Sequence, residues 1–445
     1  MDRLRTWCLA AAAAAGLWLA AAPAYAQGER PARPYRGLFG SDNRSADSRD
    51  QLDLSFGFNG AADNGYTTPA APGETTPSYD TQFEEFYSAG VNLVYTRRGR
   101  TVQAGATASA SYPYYPLYPD SSALAYSGSG NVGHTTGSTS VAASGRYSYS
   151  PFYTFGLGSG SPFSGMFDYA SSFSPNRSAS GGLSASRRLN RRTSIAASYS
   201  VGGSDFVLED RWSANQGARV SFSRETSRNT ALELGYGYSR TNANETVSGS
   251  LEQFVTQSHD GDVGFSASRR TPRGGATGIH LGFGASLLDA YGTEQVHPRY
   301  RGSASVDQSI PGGWVLGAGY TRSLQYVGGL LEPVWSDNAN VRASGPVNRR
   351  VSLTLDATYS SGAYITAGES GYTMYSASAS ARYAITQYAA LSAQYIYYSY
   401  DFPSGFELPP GMPPRLSRHR LQAGAVVWVP LARIGRAPAP PPAAQ

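Results

Sequence analysis

The side chains that could do chemistry in this sequence are charged and amide groups at every second residue of stretches whose intervening residues are apolar. Successive side chains of a β-strand point to opposite faces, so such groups share one face. The set comprises Arg219, Glu233, Asp260, Asp262, His280, Arg301, Asp307, Asn340, Arg342, Asp356, Arg382, Gln394, Arg420 and Gln422. Along a water-filled passage, side chains of both signs sort solutes by charge and size. Alternatively, the Arg–Asp pairs simply bridge neighbouring strands and stiffen the wall, and the two roles are compatible.

Enzymatic and metal chemistry is not indicated. The histidines are scattered, without the spacing of metal ligands, at His134, His259, His280, His297 and His419. No serine stands out as a nucleophile, and Asp260 and Asp262 fit no defined calcium loop. Gly128 to Gly133 matches a dinucleotide-binding pattern by letter, but we expect this segment to end an external loop. We therefore predict no catalytic residue, no metal and no cofactor.

The elements that position these side chains are β-hairpins, best seen in the segment from Gln216 to Arg240. Its first arm alternates Ala218, Val220 and Phe222 with polar residues, and its return arm alternates Leu232 and Leu234 with polar residues and glycine. A short polar break over 225–229 joins the arms. Period-two alternation on both arms of a tight turn predicts an antiparallel hairpin with one apolar and one polar face.

The same unit recurs from about residue 50 to 430, with short turns alternating with longer segments. The pattern predicts an all-β, antiparallel up-and-down barrel of about 18 strands, with 16 as the fallback. Long external loops are expected over 61–82, 113–132 and 159–176, and a weakly patterned strand over 153–157. Tyrosines recur on the apolar face near strand ends, as an aromatic girdle at a membrane surface requires, at Tyr95, Tyr112, Tyr199, Tyr236, Tyr238, Tyr320, Tyr359, Tyr383, Tyr395 and Tyr397.

The two ends of the chain have their own character. Residues 1–26 are predicted to be a signal peptide, because a short basic start and an apolar run precede Ala24-Tyr25-Ala26. We expect a short periplasmic lead over 27–49, the barrel over 50–430 and a Pro/Ala-rich periplasmic tail over 431–445. Cys8, the one cysteine of the chain, lies in the signal. The exported part therefore has no thiol chemistry.

Composition narrows the class of protein further. The chain has 32 tyrosines and 51 glycines with 15% charged residues, which is unusual for a soluble globule. The net charge of +5 is modest, and arginines cluster in the predicted short turns, for example at Arg187-Arg188 and Arg349-Arg350. Such clusters are more typical of solvated turn ends than of nucleic-acid binding, although contact with acidic lipid headgroups or peptidoglycan is an alternative.

With its signal peptide, alternating strands, tyrosine-tipped ends and Arg/Gly/Pro turns, the chain resembles bacterial outer-membrane β-barrel proteins of the porin-like class over nearly all of 50–430. The resemblance implies residence in the outer membrane, with its lipid and the barrel assembly machinery as partners. The implied function is a pore for polar solutes. Two alternatives stay open: a conduit that exports a polysaccharide with periplasmic partners, and a structural or adhesive barrel with a closed lumen. One departure is that Trp428-Val429-Pro430 is followed by further residues, whereas such barrels often finish on a C-terminal aromatic residue.

Overall fold

The computed structural model describes residues 48–68, 78–116, 123–151, 175–206, 211–247, 250–270, 275–290, 297–325, 334–364, 371–403 and 414–436. These residues form a single 18-stranded sheet. The strands are β1 (Ser48–Thr68), β2 (Ser78–Arg98), β3 (Val102–Tyr114), β4 (Ala125–Thr136), β5 (Thr139–Ser150), β6 (Asn176–Asn190), β7 (Thr193–Phe206), β8 (Arg211–Glu225), β9 (Thr230–Val247), β10 (Ser250–Arg270), β11 (Ala276–Ala290), β12 (His297–Ile310), β13 (Trp314–Gln325), β14 (Val334–Pro346), β15 (Val351–Tyr364), β16 (Gly371–Ala384), β17 (Ala389–Asp401) and β18 (Arg415–Arg436). No helix in these ranges is long and apolar enough to cross a membrane.

The sheet is closed. Each strand pairs antiparallel with the next one along the chain, and β18 pairs with β1, for example Leu54 with Val429 and Phe56 with Val427. Closure gives every strand a partner on both sides, so no row of backbone N–H and C=O groups is left at an edge. The predicted fold class, an 18-stranded antiparallel up-and-down barrel, is confirmed.

The two ends of the barrel differ in the length of their connections. With an even number of strands, β1 begins and β18 ends at the same end, which also holds short connections such as 191–192 and 226–229. We call this the turn end. At the opposite end, the loop end, the connections include 151–175 and 402–414. In the turn at 311–313, Gly312 and Gly313 have φ angles of 101° and 92°, a region that favours glycine.

Buried residues identify which face of the sheet lines the interior. Four residues are at most 3% exposed, namely Tyr372, Phe86, Tyr400 and Asp63. Each lies an even number of residues from the polar residues of its strand, and therefore on the same face as those residues and opposite to the apolar ones. In a barrel made of one sheet, only the interior is shielded from solvent. The polar positions therefore point inward. The apolar positions point outward, and their side chains remain exposed, as at Leu234 (54%) and Phe283 (71%).

One predicted loop was wrong. The expected loop over 113–132 contains most of strand β4, because the outward positions of that strand include Gly128 and Gly130, which hide the apolar alternation. The segment Gly128 to Gly133 consequently lies inside a strand and not at the end of a loop. The weak strand predicted over 153–157 lies outside the described residues. The number 18 was right, although one of the predicted members differs.

The first and last strands of the barrel, β1 and β18, also have boundaries that differ from the prediction. Strand β18 continues to Arg436, beyond the predicted end at 430, because a bulge opposite Leu52 and Asp53 restarts the pairing with β1. A bulge shifts the side-chain alternation by one residue, so the continuation is invisible to a period-two pattern. Strand β1 begins at Ser48, and the predicted loop over 61–82 is shortened from both sides by β1 and β2.

Candidate functional site

The interior of the barrel carries a cluster of charges on β8 to β12. The Arg219 guanidinium donates two hydrogen bonds to the Asp262 carboxylate, both 2.6 Å long, and it lies 3.7 Å from Glu233. Such a two-pronged pairing fixes the orientation of both groups. Arg301 on β12 lies 3.0 Å from Asp260, which also accepts a 2.5 Å hydrogen bond from Ser286. We call Arg219, Glu233, Asp260, Asp262 and Arg301 the charge cluster; all five were in the set predicted from the sequence.

The strands between the charged ones carry glycine at the level of the cluster. Arg219 on β8 and Asp262 on β10 are separated by β9, where Gly235 lies opposite Asp262 in the register. A Cβ atom at Gly235 would overlap the guanidinium of Arg219 and lie 2.8 Å from the Asp262 carboxylate. Gly284 on β11 likewise leaves space for a charged neighbour, since a Cβ there would lie 2.8 Å from Asp262 Cβ. The charged side chains therefore lie along the wall, over strands that leave them room.

The other predicted interior residues are distributed over the rest of the wall. Arg342 and Asp356 face each other across β14 and β15 at 3.5 Å. Asp307 and Arg382 lie near the turn end of their strands, and His280 lies one inward position from Gly282 on β11. The remaining members lie on the inward-facing side of their strands, at Asn340, Gln394, Arg420 and Gln422. The structure thus brings five of the set together in one cluster.

Strands β3 to β7 form a wall of a different kind. Their inward positions are mostly Ser, Thr, Gly, Asn and Ala, and within the described residues the charges among them are Arg146 and Arg188. Hydroxyl groups of neighbouring strands bond to each other, with O–O distances of 2.6 to 2.8 Å, at Thr107–Ser129, Ser109–Ser127, Ser148–Ser178 and, on to β8, Ser204–Ser213. We call this surface the hydroxyl wall. Small neutral side chains project only a short distance from the wall on this side.

Toward the loop end, the interior contains five buried aromatic side chains that are not among the predicted site residues. Phe86 stacks on Tyr115 with ring centroids 5.5 Å apart, and Phe402 contacts both Tyr372 and Tyr400, at 5.6 and 5.3 Å. All five rings are at most 3% exposed. We call them the loop-end cluster. An inward aromatic residue near a strand end is hard to recognise in sequence, because tyrosines of the outward girdle occur at the same depth.

A buried ion pair lies beside the loop-end cluster. The Asp63 carboxylate accepts a 2.6 Å hydrogen bond from Arg418 Nε, and the side chains are 0% and 6% exposed. Arg420 from the predicted set lies over the Phe86 ring, 4.6 Å from its centroid. A charge pair withdrawn from water in this way contributes a fixed geometry more than net stability. Asp63 could have been found from its inward position on β1, but the expected loop began at residue 61.

The tyrosines predicted for the girdle occupy outward positions of their strands. Tyr112, Tyr359 and Tyr397 lie nearer the loop end, Tyr95 and Tyr383 lie near the turn end, and the others lie near the middle of their strands. Two histidines join them in matching arrangements: Tyr236 shares a 2.8 Å hydrogen bond with His259, and Tyr395 shares one of the same length with His419. These imidazoles belong to the outer surface and not to a reactive site.

Within the described residues, no group of three or more His, Cys, Asp or Glu side chains could hold a metal ion.

No family model and no curated protein matches the sequence. Among solved structures, Pseudomonas aeruginosa OccK8 (OprE) matches with 11% identity and a TM-score of 0.42, over 86% of this chain and 98% of that one. Acinetobacter baumannii OccAB2 matches with 10% identity and a TM-score of 0.44, over 86% and 98%. The Pseudomonas aeruginosa outer membrane protein opdK matches with 11% identity and a TM-score of 0.41, over 85% and 99%.

Proposed function

We propose that this protein is a channel of the bacterial outer membrane through which small polar solutes diffuse. The observation that carries the proposal is the closed barrel with an exposed apolar outer face and a polar inner face. An apolar outer face of this extent is stable against lipid hydrocarbon, and barrels of 16 to 18 strands enclose an aqueous passage. The short turns and both ends of the described chain then belong on the periplasmic side.

The lining supports a passage with weak charge preference. The charge cluster combines two cationic and three anionic groups, and its members are paired within the wall. The neighbouring hydroxyl wall offers uncharged hydroxyl groups as hydrogen-bond donors and acceptors. A solute moving between these surfaces can exchange hydrogen bonds with water for hydrogen bonds with the wall. Small neutral or zwitterionic polar solutes fit this lining better than highly charged ones.

The loop-end cluster favours a second candidate, a structural barrel whose lumen is closed. Rings that are almost fully buried leave little water around them near the loop end of the interior. In the channel proposal the same rings form the narrowest part, which sets the size limit of the solute. The two candidates therefore differ in one measurable property, namely whether ions pass the loop-end cluster.

Single-channel recording separates the candidates. The mature protein, inserted into planar bilayers, is expected to give stable conductance steps, whereas a closed barrel gives none. Truncating two inward rings, Phe86→Ala with Tyr372→Ala, should raise the conductance because it widens the narrowest part. Truncating the outward ring of Phe283, which is 71% exposed, is the matched control and should leave conductance unchanged. A silent wild-type protein that starts to conduct after the double truncation would establish the closed barrel.

The export alternative needs its own test. We expect deletion of the gene to leave surface polysaccharide intact and to slow the uptake of small polar solutes. Loss of the polymer with normal uptake would replace the channel proposal by the export conduit.

A further inference from the structure

The outer surface of the barrel carries arginines at the lower edge of its apolar face, near the turn end. Arg187, Arg224 and Arg269 occupy outward positions, in step with the apolar residues of their strands. Arg187 pairs in register with Ile195, and Arg224 pairs with Leu232; both apolar side chains are exposed, at 40% and 45%. We call these three arginines the arginine belt. Each guanidinium leaves the strand beside the last apolar side chain, where a long side chain can reach the polar layer of a bilayer.

Within the part of the chain that the structure describes, several arginines of this end have no acidic partner. Within the described residues, the belt forms no ion pair, and the same holds for neighbouring turn-end arginines at Arg188, Arg191, Arg192, Arg228, Arg270 and Arg349. Arg97, a further outward arginine at this end, lies 3.9 Å from Asp50 and is partly neutralised. A concentration of unpaired arginine on one rim attracts anions from outside the protein.

The loop end carries fewer outward arginines without an acidic partner. Its outward arginines include pairs with acidic partners, Arg322 with Asp337 at 3.6 Å and Arg415 with Asp401 at 2.7 Å. Its outer surface carries tyrosines and the two Tyr–His contacts, which suit an interface without requiring an anion. Within the described residues, the outer surface of the barrel thus carries more arginines without an acidic partner at the turn end than at the loop end.

We propose that the arginine belt binds the phosphate groups of anionic phospholipids in the leaflet next to the turn end. The guanidinium fork matches phosphate oxygens with two parallel hydrogen bonds, and it keeps its charge at any physiological pH. The depth of the belt, directly below the apolar face, is where lipid phosphates lie. A soluble polyanion would meet the turns before it reached these side chains. The inference rests on the membrane placement given under Proposed function, but not on the barrel being open.

The test uses the mature protein inserted into vesicles of phosphatidylcholine with one fifth phosphatidylglycerol. Patches of membrane around the protein are excised with a polymer, and the ratio of the two lipids in them is measured by mass spectrometry. We expect phosphatidylglycerol to be enriched around the wild-type barrel. Each belt arginine should change the relative affinity for the anionic lipid about fivefold, the equivalent of about 1 kcal/mol. Arg187→Gln with Arg224→Gln should therefore remove most of the enrichment.

A matched control removes the same charge from the other rim. Arg177 lies on β6 with Arg187 but at the loop end, and Arg240 lies on β9, the strand after Arg224; both are outward. Arg177→Gln with Arg240→Gln should keep the enrichment, and lysine at 187 and 224 should keep most of it. Wild-type patches with the bulk lipid ratio, or equal losses in both glutamine variants, would refute the belt as a lipid site. Failure of the wild-type protein to insert at all would instead refute the membrane placement.

Discussion

Replacing Arg219 by glutamine gives the sharpest test of the charge cluster as part of the solute pathway. The cluster holds two cationic and three anionic groups, so its net charge is 2 − 3 = −1. Arg219→Gln leaves one cation against three anions, 1 − 3 = −2. The change occurs at an inward position of β8 and replaces the arginine by a shorter, neutral side chain. The lumen therefore becomes more negative while its shape is nearly retained.

The expected effect on ion selectivity follows from Coulomb's law. At about 10 Å from a permeating ion, one unit charge contributes about 0.4 kcal/mol in bulk water and about 1.7 kcal/mol at an effective dielectric constant of about 20. If the added negative charge stabilises a permeating cation by about 0.5 kcal/mol and destabilises an anion by the same amount, the two effects add to about 1 kcal/mol. The potassium-to-chloride permeability ratio then rises about fivefold. The ratio is obtained from the reversal potential under a salt gradient. At 1 M salt the Debye length falls to about 3 Å, and the effect should almost vanish.

Two further variants make the reasoning refutable. Asp262→Asn brings the cluster to 2 − 2 = 0 and should lower the ratio, whereas the double variant with Arg219→Gln returns to 1 − 2 = −1 and should restore it. Folding of each variant is checked by circular dichroism, because a carboxylate left without its partner costs about 1–3 kcal/mol. A ratio that stays unchanged in Arg219→Gln at 0.1 M salt would show that the cluster lies off the ion path.

Three other predictions concern the wall. Gly235→Ala should lower the free energy of unfolding, measured by urea titration in lipid, by about 1–3 kcal/mol, because its Cβ displaces Arg219 from Asp262. The control Gly261→Ala, whose Cβ meets no atom within 4 Å, should be nearly neutral in the same titration. Leu183→Arg, outward on β6, should cost about 2–4 kcal/mol near the bilayer centre and impair assembly into vesicles. The adjacent inward Ser184→Arg should assemble normally and alter conductance, and equal assembly of the two would contradict the assignment of faces. Tyr236→Phe removes the contact with His259, and its effect on stability in lipid should stay within about 0.5 kcal/mol, since the site is exposed.

Much of the barrel could be predicted because one physical rule acts on every strand. An outward residue must suit lipid and an inward one must suit water, so the two faces differ at every second position. The rule fails where glycine replaces the apolar residue, as in β4, and where a bulge shifts the phase, as near the end of β18. In both places the backbone pairing continues, although the residues no longer alternate between apolar and polar in the expected phase.

The charged residues of the interior were predictable as members of a face but not as partners. Arg219 and Asp262 are 43 residues apart and lie on strands that are not neighbours, so no local pattern connects them. Their contact depends on the register of two hairpins and on the absence of a side chain at Gly235. The loop-end cluster is harder still, because its rings come from strand ends whose inward positions look like those of the outward girdle.

Glycine in β9 and β11 links the fold to the proposed passage. A long arginine opposite a bulky neighbour would have to extend into the lumen, where its charge would narrow the passage and repel cations. Over Gly235, the same arginine lies along the wall and is held by Asp262, so its charge is neutralised within the surface. The wall gains a cross-strand tie without losing width. Glycine is a poor strand former, and its placement between two charged strands is therefore best explained by the space that an open, weakly charged lumen requires.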